Sequence, residues 1–366
     1  MAQIYPFAPA RRGELTPSLL GYECIAPSGF RGRGLLCLVQ LSPPQHGTVF
    51  PAQQPSSQAC DNFTPVLLFD DPAGTLDNLL FSPNARLVAE QHGEGFVHRL
   101  TSINDLHYIN IVSTELQEKR LILAAHDAAW SAALGRSLQF PRAPGPEHKT
   151  LTTPIHRQGY LHVQPPRPED AIPALLLNQE RAEFTISALH RVLPAPANFD
   201  AQRFLDQARL FFQIEPLPAA LTVERAQYLL THGNELGPAL IALSDGKAHL
   251  LKARLDVLEA LLPSAASDLP SAASDLPFAA SDLELLELLL QRALHLDLRA
   301  TEAVSEISAA ICAVRDGAPL AFLLNPPSLP QIQHAAFLRT PLPADSFRIF
   351  PQAPEDWVRD FTSVRQ

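Results

Sequence analysis

Charge is scarce in this chain. Only 18% of the 366 residues are Asp, Glu, Lys or Arg, against roughly 25% in an ordinary soluble protein. Positive charge is scarcer still: 28 basic against 38 acidic residues leave a net −10. Nucleic acid and anionic membrane are polyanions, so this balance argues against both as general partners. No apolar run approaches the ~18 residues of a membrane-spanning helix. The four cysteines, Cys24, Cys37, Cys60 and Cys312, show no metal-ligand spacing. That argues against a structural zinc site and predicts no metal, with free and mostly buried thiols in a reducing compartment. The stretch up to Arg11-Arg12, with Pro6 and Pro9, lacks the basic-then-apolar order of a secretory leader, so a cytoplasmic protein is expected. Three common catalytic signatures are missing as well: the G-x-x-x-x-G-K-S/T phosphate loop, the G-x-S-x-G elbow and the H-E-x-x-H pair.

What is abundant is proline, 35 residues, about twice the usual ~5%. Much of it falls in connectors and implies stiff loops. Between the connectors, apolar runs alternate with helical patterns. Leu35 to Leu41 and Val66 to Phe69 read as strands, and Leu106 to Gln117 as a helix. Arg86 to Glu90 and Phe96 to Thr101 read as strands around the turn at Gly93. Arg120 to Ala124 is a buried strand running into a helix over 127–138. A polar, proline-rich stretch over 141–168 reads as a long loop. Ala174 to Asn178 and Phe184 to Leu189 read as paired strands. Beyond Phe199, Asp200 caps a helix with Phe204 and Leu205 on its apolar face. Pro218 to Thr231 is helical. Asp245-Gly246 sits between two apolar runs, a strong hairpin signal. Thr301 caps a helix carrying Val304, Ile307 and Ile311, ended by Gly317. Leu320 to Leu324 is a strand. The heptapeptide Pro263–Leu269 recurs at 270–276 and, nearly unchanged, at 277–283. A proline in each copy excludes a continuous helix, so 263–283 is expected to be a low-complexity surface loop without function.

The groups that could carry chemistry are few. The run Ser28 to Gly34 holds Arg31 and Arg33 among three glycines; it is either a phosphate cradle or a hairpin loop with solvated arginines. His126-Asp127 stands at a strand-to-helix junction. His126 is a candidate acid, base or ligand there, or a plain loop residue beside the helix cap Asp127. His190-Arg191 follows a strand, where Arg191 could grip a phosphate or carboxylate, or form a structural ion pair. His98-Arg99 on a strand is open to the same two readings.

Several runs together resemble the bacterial and archaeal family catalogued as domain of unknown function 1015. The opening Met1-Ala2-Gln3-Ile4-Tyr5-Pro6-Phe7 is similar to its M-A-x-I-x-P-F start. Arg33 to Val39 resembles its R-x-G-L-I-A-L-V strand, and Asn62 to Pro72 its N-x-S-P-I-F-L-L-Y-x-D-P run. His98-Arg99-Leu100, Leu189 to Leu193 and Ala321 to Pro327 resemble further stretches. The departures bear on function. The family's D-G-H-H-R-Y-E motif, which resembles a phosphate-contacting signature of the ParB-like superfamily, reads Ala125-His126-Asp127-Ala128-Ala129-Trp130-Ser131 here. Its arginine position therefore holds Ala129. The P-H-E-R/K-T motif reads Pro51-Ala52-Gln53-Gln54-Pro55, and V-A-P-P-Y-D-V has no counterpart.

An Arg-to-Ala change removes charge-assisted bonds worth roughly 1.5–3 kcal/mol each. A carboxylate at Asp127 would repel an anion about 4 Å away by ~4 kcal/mol at an effective dielectric near 20. The resemblance thus implies an α+β fold: a mixed-sheet ParB-like region over 1–195, and over 196–366 a second region of helices on a small sheet. It implies a degenerate, non-catalytic member, a pseudoenzyme with a binding or regulatory role toward a protein or small metabolite. The alternative is a ParB-like phosphotransferase, with a free amino acid kinase as precedent. ATP and magnesium would be its cofactors, and Arg31, Arg33, His190 and Arg191 would replace the lost phosphate contacts. DNA binding, known in the superfamily, conflicts with the net charge.

Overall fold

The computed structural model describes residues 2–5, 19–41, 49–54, 64–74, 76, 78, 85–93, 95–125, 171–181, 183–194, 199–217, 220–233, 238–254, 281–338, 340–354 and 358. The expected helix over 127–138, the loop over 141–168 and the first two repeat copies lie outside these residues. The fold is α+β. By contact the chain forms two compact units: one holds Met1–Pro51, Pro55–Thr185 and Ile349–Gln366, the other Ala52–Gln54 and Ile186–Arg348. Among the described residues no helix is long and apolar enough to cross a membrane.

The first unit is built on a mixed sheet of nine strands. In chain order these are β1 (Ala2–Tyr5), β2 (Leu19–Ile25), β3 (Arg31–Leu41), β4 (Val49–Pro51), β5 (Val66–Phe69), β6 (Arg86–Gly93), β7 (Phe96–Ile103), β8 (Leu121–Ala125) and β9 (Ala171–Asn178). They lie in the order β4-β8-β5-β9-β3-β2-β7-β6, with β1 pairing the far end of β3. One helix, α1 (Leu106–Glu118), joins β7 to β8; Asp105 caps it by accepting from His107 N at 2.8 Å. Ile109, Val112 and Leu116 of α1 enter a core with Leu35, Leu67 and Leu176 of the sheet. Each such side chain, once buried, contributes roughly 1.5–3 kcal/mol. The central strand β5 is buried at all four positions, which explains its unbroken apolar run.

Two expectations change here. β9 does not pair with the next strand in sequence, β10 (Thr185–Ala188); its neighbours are β3 and β5. And β3 starts four residues before Leu35, taking in most of the glycine run. Arg31 pairs with Ile25 and Gly34 with Tyr22, so backbone pairing overrides the low strand preference of glycine. A Cβ on Gly34 would stand 2.6 Å from the Leu176 carbonyl oxygen, so close strand packing requires glycine there.

The second unit is a six-stranded sheet in the order β12-β14-β13-β16-β11-β15. Its strands are β11 (His190–Leu193), β12 (Phe212–Leu217), β13 (Ala239–Ser244), β14 (Lys247–Ala253), β15 (Glu302–Val304) and β16 (Leu320–Leu323). The helices are α2 (Ala201–Ala208), α3 (Val223–Gly233), α4 (Asp282–Leu289), α5 (Ile307–Arg315) and α6 (Leu329–Phe337), followed by β17 (Phe347–Phe350). Side chains alternate along a strand, and the two cores divide accordingly. Leu240 and Ala242 of β13 join Phe204 of α2 and Leu286 of α4. Ala239, Ile241 and Leu243 join Leu230 of α3 and Ala310 of α5. The small sheet is therefore covered on both faces.

Asp245 and Gly246 form the expected two-residue turn, with Ser244 opposite Lys247. Both take positive φ, 48° and 71°, which matches the strand twist. Asp200 caps α2 through Gln202 N and Arg203 N. Thr301 does not cap a helix: its hydroxyl donates to Leu298 O at 2.6 Å, Glu302–Val304 pair with β11, and α5 begins at Ile307. The sheet edge claims those three residues before a helix can.

The repeat is corrected at its end. Ser281, Asp282 and Leu283, the last residues of the third copy, are buried and open α4. Ser281 Oγ accepts from Glu284 N, and Glu284 reaches back to Ser281 N, a reciprocal cap. The earlier copies have proline where this one has Glu284, and proline has no N–H to give. Deleting Pro263–Leu276 should therefore leave the thermal midpoint unchanged. Ser281→Ala in the full chain should cost ~1 kcal/mol in urea unfolding; a loss on deletion as large as on capping would show that the first copies bear load.

Candidate functional site

His190 and Arg191 open β11, one strand in from the β15 edge of the second sheet, and both are buried. His190 Nδ1 accepts from Leu324 N at 3.2 Å, which puts the ring proton on Nε2. Burial pushes its pKa down to about 4, so the ring is neutral at physiological pH. Arg191 donates from Nη2 to Asp345 O at 2.6 Å and Ala344 O at 3.2 Å. Burial lowers its pKa, and the nearby Asp345 opposes that.

The same turn is held from another side. Gln53 Oε1 accepts from Ser346 N at 3.1 Å, and its Nε2 donates to Phe347 O at 3.5 Å. Gln54 N donates to Leu342 O, and Leu342 N to Ala52 O. The altered motif at Ala52–Gln54 and Arg191 thus converge on residues 342–347. Sequence reasoning noted the change at Gln53 without finding this role. A buried glutamine has both a donor and an acceptor, which is what two opposed backbone groups need.

A second buried polar centre joins the ends of two elements. Asp282 Oδ2 accepts from Asn325 N at 2.9 Å and from Asn325 Nδ2 at 3.0 Å. Asn325 Nδ2 also donates to Ala239 O at 3.2 Å. Burial raises the Asp282 pKa to about 6, against the lowering effect of the Asn325 bonds.

In the first unit Arg33, Glu23, Arg99 and Glu90 form a row across β3, β2, β7 and β6. Arg33 Nε meets Glu23 Oε1 at 3.0 Å, and Arg33 Nη1 lies 3.8 Å from Glu183 Oε1. Arg99 Nη1 reaches Glu23 Oε2 at 3.5 Å, and Arg99 Nε reaches Glu90 Oε2 at 2.6 Å. The bonds to Arg99, and then to His92, hold Glu90 below its usual pKa. Arg31 is exposed on the same strand as Arg33. On β7 next to Arg99, His98 Nδ1 lies 2.7 Å from Tyr22 Oη, which donates to Gln352 O at 2.7 Å. The phenol proton is thus in use, so His98 carries its own on Nδ1. Burial lowers the His98 pKa.

A further corner lies past β5 and β9, which run parallel and end level, Phe69 opposite Asn178. Asn178 is buried and joins the two following loops. Its Nδ2 donates to Asp71 O at 3.2 Å, and its Oδ1 accepts from Glu180 N at 3.0 Å. Asp71 Oδ2 accepts from Leu76 N at 2.9 Å. Gly74 has φ 64°, and a Cβ there would collide with the Arg181 guanidinium.

The structure therefore brings His190 and Arg191 together on one strand, and Arg31 and Arg33 on another. His126 and Asp127 lie outside the described residues. Among the described residues no three His, Cys, Asp or Glu side chains gather as metal ligands.

A family model described as a protein of unknown function (DUF1015) matches residues 57–261, more than half of the chain. The chain belongs to this family. The DUF1015 match takes in β5 through β14, and with them the Asn178 corner and His190-Arg191. Gln53, Asp282 and Asn325 fall outside it. No curated protein matches the sequence. Among solved structures the chain is similar to a conserved hypothetical protein from Pyrococcus furiosus, at 9% identity and TM-score 0.30, over 51% of this chain and 67% of that one. It is also similar to a free serine kinase variant in complex with ADP, at 7% identity and TM-score 0.33, over 82% and 92% of the two chains. A free serine kinase in complex with AMP gives 6% and 0.32, over 83% and 93%.

Asp282 makes a pH prediction. Its folded pKa, about 6, lies above the ordinary aspartate value of 3.8. Its contribution is therefore full below the lower value and is lost as pH rises through the upper one. Asp282→Asn keeps an acceptor for Asn325 and removes the titration. Its stability relative to the parent should rise by roughly 2 kcal/mol from about pH 4 to pH 7 in denaturant unfolding; a pH-independent difference would refute the shift.

Proposed function

We propose that this chain is a non-catalytic member of the DUF1015 family with a binding or regulatory role toward a protein or a small metabolite. One observation carries the reading: three of the four groups that would have to replace the lost phosphate contacts are already committed. Arg191 is buried on two backbone carbonyls. Arg33 is bound by Glu23 and faces Glu183. His190 is neutral, with one nitrogen used by Leu324 N. A phosphate arriving at Arg191 would have to displace bonds inside a packed sheet, leaving two buried carbonyls unpaired at roughly 1–3 kcal/mol each. The motif substitutions Ala128 and Ala129 support the same reading. A cytoplasmic location agrees with the free thiols of Cys24 and Cys37, both buried.

The test is thermal unfolding with and without millimolar ATP, ADP and magnesium, together with an ATP turnover assay. A ligand at 100 times its dissociation constant adds ~2.7 kcal/mol to stability. The expected result is no shift and no turnover. A clear rise of the midpoint with measurable turnover would overturn the reading in favour of the phosphotransferase.

A further inference from the structure

A group of basic side chains on the second sheet is used by nothing above. Lys247 and His249 stand two residues apart on β14, so their side chains leave the same face of the sheet. Leu251, next in that row, packs in one core with Phe204 and Ala208 of α2, so the face is the one that α2 covers. Arg209 ends α2 directly after Ala208. His249 is paired between Pro216 of β12 and Ala242 of β13, and neither side chain can hydrogen-bond its ring. His249 Nδ1 is buried without a partner. An unpaired buried N–H is rarer than an unpaired acceptor, so Nδ1 is the bare nitrogen and Nε2 carries the proton and donates. Burial lowers the His249 pKa, and the charges of Lys247 and Arg209 lower it further, so both cations act on this ring. Lys247 is exposed and has no ion pair among the described residues. Arg209 Nη1 bonds Asp206 Oδ1 at 2.6 Å, in a pair that is more than half exposed. Asp206 is the one carboxylate bonded to any of the three among the described residues. Like charges around a half-buried ring repel, and an anion set among them turns that repulsion into attraction.

We propose that Lys247, Arg209 and His249 form an oxyanion-binding subsite that takes the carboxylate or the single phosphate of a small metabolite. Lys247 and His249 Nε2 donate from β14, and Arg209 donates from the end of α2. Asp206 on Arg209 and the net −10 of the chain oppose nucleic acid and the multiply charged tail of ATP. A single small anion is the ligand that fits. The proposal rests on the binding reading above and names its site.

The full chain, isotope-labelled at histidine, is followed by NMR at neutral pH, with the His249 ring signal identified by its loss in His249→Asn. Inorganic phosphate and, separately, acetate are titrated at an ionic strength held constant with chloride. The His249 signal should move and saturate with at least one of the two anions, and which one acts assigns the ligand class. Lys247→Ala should weaken binding of that anion roughly tenfold, and Lys247→Arg, which keeps the charge, should restore most of it. Circular dichroism confirms that the variants fold. A signal that ignores both anions, or drifts without saturating, overturns the subsite, as does a folded Lys247→Ala with the affinity of the parent. ATP turnover in the same samples bears on the non-catalytic reading alone, so the two ideas fail separately.

Discussion

All six residues of β13, from Ala239 to Ser244, are buried, so neither face of the second sheet at its centre meets water. A strand in that position imposes a layer on each side. It also demands that every backbone group in the sheet find a partner, since an unpaired one costs as much as a lost hydrogen bond. The helices α2 and α4 on one face and α3 and α5 on the other answer the first demand. The neighbours β14 and β16 answer the second. The first unit repeats the theme in β5, flanked by β8 and β9.

That double cover decides what the polar residues of the sheet can do. A charge or imidazole on an inner strand has no water to turn to, so it must be satisfied by the protein or be costly. Arg191 and His190 sit on β11, between β15 and β16, and both bond main-chain groups. The same pressure explains Gln53 and Asn325, side-chain amides that each join separate stretches of chain. Polar chemistry of the kind open to a ligand is displaced to where strands end.

The parts of the fold legible in the sequence rest on local physics. The turn at Asp245-Gly246 follows from two residues tolerant of positive φ. The cap at Asp200 follows from a short side chain that reaches its own backbone. The strand Val66–Phe69 follows from an apolar run too short for a helix. Thr301 had the right chemistry for a cap as well, yet the residues after it pair with β11. The glycines before Leu35 looked like a loop, yet Gly32 and Gly34 lie in β3, packed against Pro351 and Leu176. Thr301 could not be read from its neighbours, because β11 lies more than a hundred residues away, and the close packing that Gly32 and Gly34 allow comes from Pro351 and Leu176, farther still.

The candidate site divides in the same way. By itself the sequence determined the alternation of strands and helices, the family resemblance and the loss of the basic motif residues. All of these depend on residue type at fixed spacing. Only the tertiary structure decided that Arg191 is a buried clasp, that Arg33 is bound by Glu23, and that Arg181 stands against Gly74. Whether an arginine is spent inside the protein depends on the groups folded against it, and those come from distant parts of the chain.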